Sequence, residues 1–164
     1  MSLKTSDLFD RHGDAARVLQ PVFQDYGGRP AFNGLAVTVK CFEDNSRIKE
    51  LAATPGHGKV MVVDGGGSLR CALLGDLIAA DAVRNGWEGL VIDGCVRDCA
   101  ALRELPIGIR ALAATPRKST RRDEGQTGLE IQIGGVVCHS GDYVYADEDG
   151  VLLLDSAVVR RISP

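Results

Sequence analysis

Two short segments carry residues suited to binding a small oxyacid and a metal ion. In Gly75-Asp76-Leu77-Ile78 a predicted helix starts directly after a glycine, so the unpaired N–H groups of Leu77 and Ile78 can hold a carboxylate at the positive end of the helix dipole. In Arg97-Asp98 the guanidinium can pair with a carboxylate or enolate oxygen, and the carboxylate can hold a hard divalent cation. The sequence therefore predicts an anion-plus-metal pocket, with Gly75, Asp76, Leu77, Ile78 and Arg97 on the anion and Asp98 on the metal.

Each segment also has a purely structural interpretation. Aspartate is a favoured N-cap residue, so Asp76 can simply cap the helix that follows it. Arg97 and Asp98 can form a structural ion pair at the start of the next helix. The spacing favours the functional interpretation, because the 20 residues between Asp76 and Arg97 form one predicted helix and one predicted strand. The turn after that strand can then face the turn before the helix.

The elements that position these segments follow from the hydrophobic pattern. Apolar runs predict buried strands at 60–63 and 90–92, and a helix over about 77–84 lies between them and ends at Asn85-Gly86. Polar residues gather directly after the strand ends, which is the edge where open α/β sheets bind ligands. These features predict an α/β fold with a single domain over residues 1–164.

Further elements flank this unit. Short polar residues ahead of apolar ones predict helix caps at Thr5 or Ser6, at Asn45 or Ser46, and at Ser68, whose helical turn reaches residue 74. Strands are predicted over 35–42, 107–112, 129–133, 136–138, 143–145 and 151–154, with a hairpin turn at Gly134-Gly135 and a last helix from about residue 156.

The composition excludes several classes of protein. The 164-residue chain is 45% hydrophobic, which is enough for one continuous core, and its 20 glycines with 5% aromatic residues favour many tight turns over a helical bundle. A net charge of −3 opposes a general electrostatic grip on nucleic acid. The start of the sequence has no signal-peptide pattern, and no apolar stretch reaches about 18 residues. We therefore expect a soluble cytoplasmic protein without membrane association or direct nucleic-acid binding.

Other reactive side chains give weaker signals. The five cysteines are odd in number and scattered, which favours reduced thiols packed in apolar surroundings. The pair Cys95 and Cys99 is not enough for a zinc site, and the histidines at 12, 57 and 139 share no ligand spacing. The basic run Arg117–Arg122 could bind an acidic partner, but such runs are usually solvated loops. Asp64 and the three glycines after it lack the lysine and serine of a phosphate-binding loop.

Longer motifs resemble the RraA-like family, which contains the regulator of ribonuclease activity A and the class II 4-hydroxy-4-methyl-2-oxoglutarate aldolases. The motifs are Val62-Val63-Asp64-Gly65-Gly66-Gly67-Ser68-Leu69-Arg70, Leu74-Gly75-Asp76, Asn85-Gly86-Trp87-Glu88-Gly89 and Gly94-Cys95-Val96-Arg97-Asp98. The similarity extends from about residue 5 to residue 154. It implies a swivelling β/β/α domain and a homotrimeric ring with sites at the subunit interfaces.

The resemblance also implies roles for the residues of the predicted pocket. In the aldolases the residue matching Asp98 binds Mg²⁺ or Mn²⁺, and the one matching Arg97 contacts the pyruvyl part of the substrate. The amides matching Leu77 and Ile78 hold its carboxylate, and the residue matching Asp76 positions a water for proton transfer. The implied activity is retro-aldol cleavage of 4-hydroxy-4-methyl-2-oxoglutarate or 4-carboxy-4-hydroxy-2-oxoadipate to pyruvate. Decarboxylation of oxaloacetate passes through the same enolate, which a divalent cation stabilises.

One position departs from the aldolase pattern. Aldolase-type members carry an acidic residue three positions after the metal aspartate, and here that position is Ala101. Glu104 lies further along the same helix, and Asp93 could compensate across the turn. The alternative function is that of the family's other branch, a non-enzymatic protein that binds and inhibits an RNase E-type endoribonuclease. A menaquinone methyltransferase, a third function attached to such sequences, would need a glycine-rich nucleotide motif that this chain lacks.

Overall fold

The computed structural model describes residues 3–160. In chain order its strands are β1 (Arg17–Val18), β2 (Gln24–Asp25), β3 (Phe32–Lys40), β4 (Lys59–Asp64), β5 (Ala72–Leu74), β6 (Gly89–Val96), β7 (Gly108–Ala114), β8 (Gln126–Thr127), β9 (Ile131–Ile133), β10 (Val136–Cys138), β11 (Tyr143–Asp147) and β12 (Gly150–Leu154). The α-helices are α1 (Thr5–His12), α2 (Ser46–Ala52), α3 (Asp76–Arg84), α4 (Cys99–Arg103) and α5 (Ser156–Arg160).

Ten of the strands in the described part of the chain form one mixed sheet. Its order is β1-β12-β11-β3-β4-β6-β7-β2, with β5 added to β6 and β8 added to β3. The central strands β3, β4, β6 and β7 run parallel, and α2, α3 and α4 fall in the connections between them. The strands β9 and β10 form a separate hairpin. The predicted α/β fold is confirmed. More strands pair antiparallel around its parallel centre than the predicted strand–helix–strand unit implied.

The apolar run in β4 shows how the core sits on both sides of the sheet. Met61 and Val63 point into the cluster that includes residues of α2 and α3, while Val60 and Val62 point into the cluster that includes the β9–β10 hairpin. All four side chains are at most 1% exposed. Because both faces are covered, the strand is continuously hydrophobic rather than alternating. Burial of each such side chain contributes about 1.5–3 kcal/mol.

Of the helix caps that the sequence predicted for α1 and α2, the structure confirms only the N-cap position of Asn45. Lys4 occupies the N-cap of α1, and the backbone N–H and the hydroxyl of Thr5 instead donate to the carboxylate of Asp147 at 2.7 and 2.6 Å. Asn45 is the N-cap of α2, but its side chain makes no capping hydrogen bond. The carboxylate of Asp44 accepts the backbone N–H of Ser46 at 2.8 Å. The carboxylates of Asp147 and Asp44 therefore accept the N–H groups at the starts of α1 and α2, in place of the hydroxyl and amide side chains that the sequence predicted.

The predicted helical turn from Ser68 to residue 74 is wrong. Ala72–Leu74 is strand β5, which pairs in parallel with β6, and all three residues are buried. No helix follows Ser68, whose hydroxyl donates to Glu43 at 2.9 Å and accepts the backbone N–H of Arg70 at 3.2 Å. The apolar run fits a helical turn or a short strand equally well. Pairing with Cys95 and Val96 of β6, beyond Ile92 where the pairing with β4 ends, decided the outcome.

Several other elements match their predictions with shifted ends. The strand predicted over 35–42 is β3, which begins earlier at Phe32, and the strand predicted over 90–92 continues through Val96. The cysteines are free, and four of them are buried. In the described residues no helix is long and apolar enough to cross a membrane.

Candidate active site

The two chemistry-bearing segments lie side by side because their strands pair. The parallel strands β5 and β6 match Ala72 with Cys95 and Leu74 with Val96, so their carboxyl ends lie at the same edge. The backbone N–H of Arg97 donates to the carbonyl of Leu74 at 2.9 Å, which continues the pairing beyond the strand. Helix α3 begins two residues after Leu74, and α4 begins three residues after Val96.

A pocket of about 410 Å³ opens at this edge. Its lining includes all six predicted positions, namely Gly75, Asp76, Leu77, Ile78, Arg97 and Asp98. The predicted facing of the two turns is therefore observed in the structure. The opposite wall comes from the segment 118–121, which the sequence did not assign to the site.

Asp98 is held in a constrained backbone conformation that directs it to α3. Its φ of 62° lies in the left-handed region, which is uncommon for a residue with a side chain and is often found at functional sites. Its Oδ2 accepts the backbone N–H of Asp76 at 3.1 Å. Within residues 3–160 no ion pair joins Arg97 to Asp98, and the Arg97 guanidinium donates to the carbonyl of Pro116 at 3.4 Å. The structural ion pair considered from the sequence does not form.

Gly75 allows this close approach of the two segments. A Cβ atom at position 75 would lie 2.7 Å from Oδ2 of Asp98 and 3.5 Å from Cγ and Nε of Arg97. Its φ of −132° is accessible to any residue, so the requirement is for space and not for backbone freedom. Glycine is the only residue that leaves the carboxylate where it is.

The first turn of α3 presents free amides to the pocket. Gly75 is the N-cap and Asp76 the first helical residue, so Asp76 does not take the N-cap role considered for it. Among the described residues, the one side chain that accepts an N–H of this turn is that of Asp98. The first intrahelical acceptor, the carbonyl of Gly75, bonds to Ala79. The N–H groups of Leu77 and Ile78 have no acceptor among the described residues. They are available to an anion at the positive end of the helix dipole.

The basic run Arg117–Arg122 is exposed at all its positions except Ser119, as expected for a loop, but it is anchored. The carbonyl of Arg117 accepts the N–H of Ala72 at 2.6 Å, and Nε of Arg121 donates to Oδ1 of Asn45 at 3.0 Å. Ser119 is 8% exposed, and its hydroxyl has no partner in the described structure. The sequence could not place this wall, because residues 45 and 121 are separated by 76 positions.

The buried carboxylate of Asp44 anchors the end of this run. It accepts the backbone N–H of Arg122 at 2.6 Å and that of Glu124 at 3.3 Å, in addition to the N–H and hydroxyl of Ser46. Burial opposes ionisation, but the hydrogen bonds from Ser46, Arg122 and Glu124 outweigh it and lower the pKa of Asp44 to about 2. The wall of the pocket is therefore fixed by an ionised side chain.

Three residues considered near the predicted metal position lie outside the pocket lining. Ala101 and Glu104 are exposed on or just after α4. Asp93 lies against the glycine turn, where a Cβ on Gly67 would be 3.8 Å from its Oδ1. Burial, together with the charge of Asp64, raises the pKa of Asp93. The compensation suggested for Asp93 has no support in this arrangement.

A second group of potential metal ligands lies far along the chain. His139, Asp142 and Asp155 bring one donor atom each within 4.8 Å of one another. The guanidinium of Arg17 already donates to Asp142 at 3.0 Å and to Asp155 at 2.8 Å. This one cation pairs with both carboxylates, so the group is an ion-pair network that ties β1 to the residues that follow β10 and β12.

Comparison with known proteins relates the chain to one family. The family model described as RraA-like, Aldolase/RraA, matches residues 4–153. A protein of Alcanivorax borkumensis, provisionally named 4-hydroxy-4-methyl-2-oxoglutarate aldolase, is 54% identical over 160 residues, covering 97% of this chain and 100% of the relative. A protein of Pseudomonas fluorescens with the same provisional name is 51% identical over 152 residues, covering 93% of each chain.

Solved structures support the same relationship. The RNA-processing inhibitor RraA from Thermus thermophilus is 45% identical, with a TM-score of 0.90 over 94% of this chain and 93% of that one. A Geobacillus kaustophilus structure, named as S-adenosylmethionine: 2-dimethylmenaquinone methyltransferase, is 42% identical, with a TM-score of 0.92 over 96% and 98%. The mixed α/β fold with its curled sheet matches these structures. The chain therefore belongs to the RraA-like family.

Proposed function

We propose that the protein is a divalent-metal-dependent pyruvyl lyase. The reaction is retro-aldol cleavage of 4-hydroxy-4-methyl-2-oxoglutarate, or of 4-carboxy-4-hydroxy-2-oxoadipate, with decarboxylation of oxaloacetate as a side activity. The observation that carries the proposal is the convergence of free helix amides, one guanidinium and two carboxylates in one pocket at the ends of β5 and β6. The provisional aldolase names of relatives that are 51–54% identical support the same reaction.

The pyruvyl end of the substrate binds at the first turn of α3. Its carboxylate accepts the unpaired N–H groups of Leu77 and Ile78, where the helix dipole favours negative charge. The keto oxygen lies towards Arg97, whose guanidinium donates to it and stabilises negative charge as it develops. Both contacts are made to the pyruvyl end, which is the part that all the proposed substrates share.

Asp98 is the proposed metal ligand, and its surroundings fit a hard divalent cation. One carboxylate oxygen is oriented by the N–H of Asp76, and the other has no partner in the described structure. A carboxylate with water completing the shell is the kind of site that Mg²⁺ and Mn²⁺ accept. A cation held by Asp98 would act as a Lewis acid towards the negative charge that develops on the substrate.

Asp76 is the proposed group for proton transfer. It lies in the first turn of α3, half-buried at the pocket wall, and makes no capping bond that would occupy its side chain. A carboxylate in this position can orient a water that protonates the enolate carbon or accepts the proton of the 4-hydroxyl. Asp76 and Arg97 are thus the proposed catalytic residues.

We extend the proposal to the family's assembly, a single swivelling β/β/α domain over residues 1–164 that forms a homotrimeric ring. Leu77, which lines the pocket, is 79% exposed, and Phe42 and Leu69 are 58% and 60% exposed. Exposed apolar side chains of this kind suit a subunit interface, and Leu77 would extend that interface to the pocket. Analytical ultracentrifugation tests this: a monomer at micromolar concentration would contradict the ring.

The second candidate is a non-enzymatic inhibitor of an RNase E-type endoribonuclease. It is favoured by the 45% identity to the structure of the RNA-processing inhibitor RraA and by Ala101 at the position of the acidic residue. The complete set of Asp76, Arg97 and Asp98 favours the lyase. A methyltransferase activity, named for one structural relative, has no glycine-rich nucleotide motif to support it here.

A pyruvate-release assay decides between the two main candidates. Purified protein is incubated with 4-hydroxy-4-methyl-2-oxoglutarate or with oxaloacetate, with and without Mg²⁺, and pyruvate is followed through a coupled dehydrogenase. Pyruvate formation that requires Mg²⁺ and exceeds the metal-only rate supports the lyase. Absence of turnover combined with slower RNA cleavage by an RNase E-type enzyme replaces it with the inhibitor.

A further inference from the structure

A groove of about 250 Å³ lies between α1 and the strands β1 and β12. In the order of the sheet, β11, β3 and β4 separate β12 from β6, which carries the proposed active site. The groove therefore takes no part in the proposed reaction. Its volume is below the roughly 300–1,000 Å³ of sites that enclose whole small molecules, so it suits one large side chain of a partner.

The surface of this groove is mainly apolar. Val151 and Leu152 of β12 lie beneath it and are 4% and 1% exposed, while Phe9 of α1 and Val18 of β1 border it and are 45% and 49% exposed. A Cβ atom on Gly150 would meet no atom within 4 Å, so the space beside this part of the backbone is open. Exposed apolar side chains gathered around a concave site mark an interaction surface, whereas single ones do not.

The two sides of the groove are held together by Asp147. Its carboxylate accepts the backbone N–H and the hydroxyl of Thr5 at 2.7 and 2.6 Å, and it also accepts the backbone N–H of Asp149 at 3.0 Å. Thr5 and Asp149 both line the groove. One carboxylate thus fixes the first turn of α1 against the turn between β11 and β12. Because the groove is formed before a partner arrives, less entropy is lost on binding.

The charged groups of the groove are all acidic. Asp10 and Asp149 line it, are exposed, and form no ion pair with a described residue. Its described lining contains no lysine, arginine or histidine. Asp7 and Glu148, on the same two elements, are also exposed. An apolar groove beside two unpaired carboxylates is complementary to a segment in which a basic side chain lies next to an apolar one.

We propose that this groove is a docking site for a peptide segment of a partner protein in which an arginine or lysine adjoins a large aliphatic residue. The aliphatic side chain fills the groove against Val18 and Leu152, and its burial drives binding. The cation pairs with the carboxylates of Asp10 and Asp149 and contacts the ring of Phe9. The inference does not rest on the lyase or on the inhibitor, since the groove shares no lining residue with the proposed active site.

Fluorescence anisotropy of a fluorescein-labelled hexapeptide tests the groove on the full-length protein at low ionic strength. The peptide has a central arginine–leucine–arginine sequence flanked by glycine and serine. Two comparison peptides replace its arginines with glutamate or its leucine with alanine. A peptide that uses the groove as proposed needs both kinds of side chain.

Two variants remove the two halves of the site, and each has a matched control. D10N/D149N removes both carboxylates, and E104Q/D123N neutralises two exposed acids outside the groove. V18S removes an apolar border residue, and V22S changes a valine that is 50% exposed and does not line the groove. Circular dichroism checks that each variant keeps its fold.

The expected dissociation constant of the arginine–leucine–arginine peptide is about 0.1–1 mM. D10N/D149N and V18S should each weaken binding by at least about threefold, and their controls by less than about 1.5-fold. Both comparison peptides should bind at least about threefold more weakly. The proposal is overturned if the unaltered protein does not bind the peptide at about 1 mM, if variants and controls lose affinity equally, or if the glutamate peptide binds as well.

Other occupants of the groove give different results. If deletion of residues 161–164 creates peptide binding that the full chain lacks, the chain's own last residues compete for the groove and the proposal is overturned. Analytical ultracentrifugation of D10N/D149N and V18S tests a second copy as the occupant. Loss of an oligomer that the unaltered protein forms would make the groove an interface between copies and would also overturn the proposal.

Discussion

The carboxylate of Asp98 accepts the backbone N–H of Asp76 at 3.1 Å, so the end of β6 is bonded to the start of α3 at the site itself. The bond satisfies one of the first amides of α3, which otherwise have no intrahelical acceptor. It also fixes the orientation of the proposed metal ligand, and the second oxygen remains available. Position and function of Asp98 are thus linked, which makes it the first residue to test.

Asp98→Asn should remove metal-dependent turnover and keep the fold. The amide oxygen of asparagine can still accept the N–H of Asp76, but the charge that attracts the cation is lost. Loss of the metal removes several kcal/mol of transition-state stabilisation, so pyruvate release should fall by at least about 100-fold. The matched control is Glu104→Gln, which neutralises an exposed carboxylate just after α4 and should leave the rate unchanged. Equal activity of the two variants would rule out Asp98 as the ligand.

Gly75→Ala should weaken metal binding without unfolding the protein. The new methyl group would lie 2.7 Å from Oδ2 of Asp98, the end of an exposed side chain that can move away. We expect an increase of about tenfold or more in the Mn²⁺ dissociation constant, followed by electron paramagnetic resonance, and a small change in melting temperature.

The double variant G75A/D98N separates this effect from general damage. If the methyl group acts through Asp98, adding G75A to D98N changes activity no further, because residues in contact do not contribute additively. A further loss of the same size as in the single variant would mean that Gly75 serves another purpose.

Ala101→Glu should strengthen metal binding. The resemblance to aldolases places an acidic residue at this position, where it supports the waters of the metal, and such groups contribute about 10–100-fold. Ala101 is exposed, so a longer side chain can be accommodated. Ala100→Glu, which adds the same charge at the neighbouring exposed position, is the control. Identical Mn²⁺ affinities in the two variants would show that only net charge matters.

Asp44→Asn should destabilise the protein in a pH-dependent way. The pKa of Asp44 is about 2 in the folded protein, below its model-peptide value of 3.8. The ionised carboxylate therefore stabilises the fold fully above about pH 4, and this contribution is lost as the pH falls towards 2. At neutral pH the variant should lose about 1–3 kcal/mol, because buried N–H donors lose their charged acceptor.

The matched control for Asp44 is Asp123→Asn. The side chain of Asp123 is 88% exposed in its pair with Arg47, so its removal should cost less than about 1 kcal/mol. Thermal unfolding measured from neutral pH down towards pH 2 should progressively narrow the gap between the melting temperatures of wild type and Asp44→Asn, beginning below about pH 4. A gap that stays constant with pH would mean that the ionised form of Asp44 is not what holds the wall.

The strand and turn pattern in the middle of the chain could be predicted because its causes are local. The apolar runs of β4 and β6 are long enough to identify buried strands, and a glycine ahead of Asp76 identifies the start of α3. Parallel strands place their carboxyl ends at one edge of the sheet, so it could also be predicted that the segments at Asp76 and Arg97 lie close together. The prediction failed at residues 72–74, where three apolar residues fit two kinds of element and only pairing with β6 selected the strand.

The sequence alone thus determined the family, the central elements, and the groups that face each other across Gly75, since these depend on short spacings and on residue type. Only the tertiary structure decided that the basic run 117–122 forms the opposite wall, because its anchors at Asp44 and Asn45 are 76 or more positions away along the chain. Contacts at that separation depend on how the sheet brings distant loops together. No local pattern of charge or hydrophobicity records that arrangement.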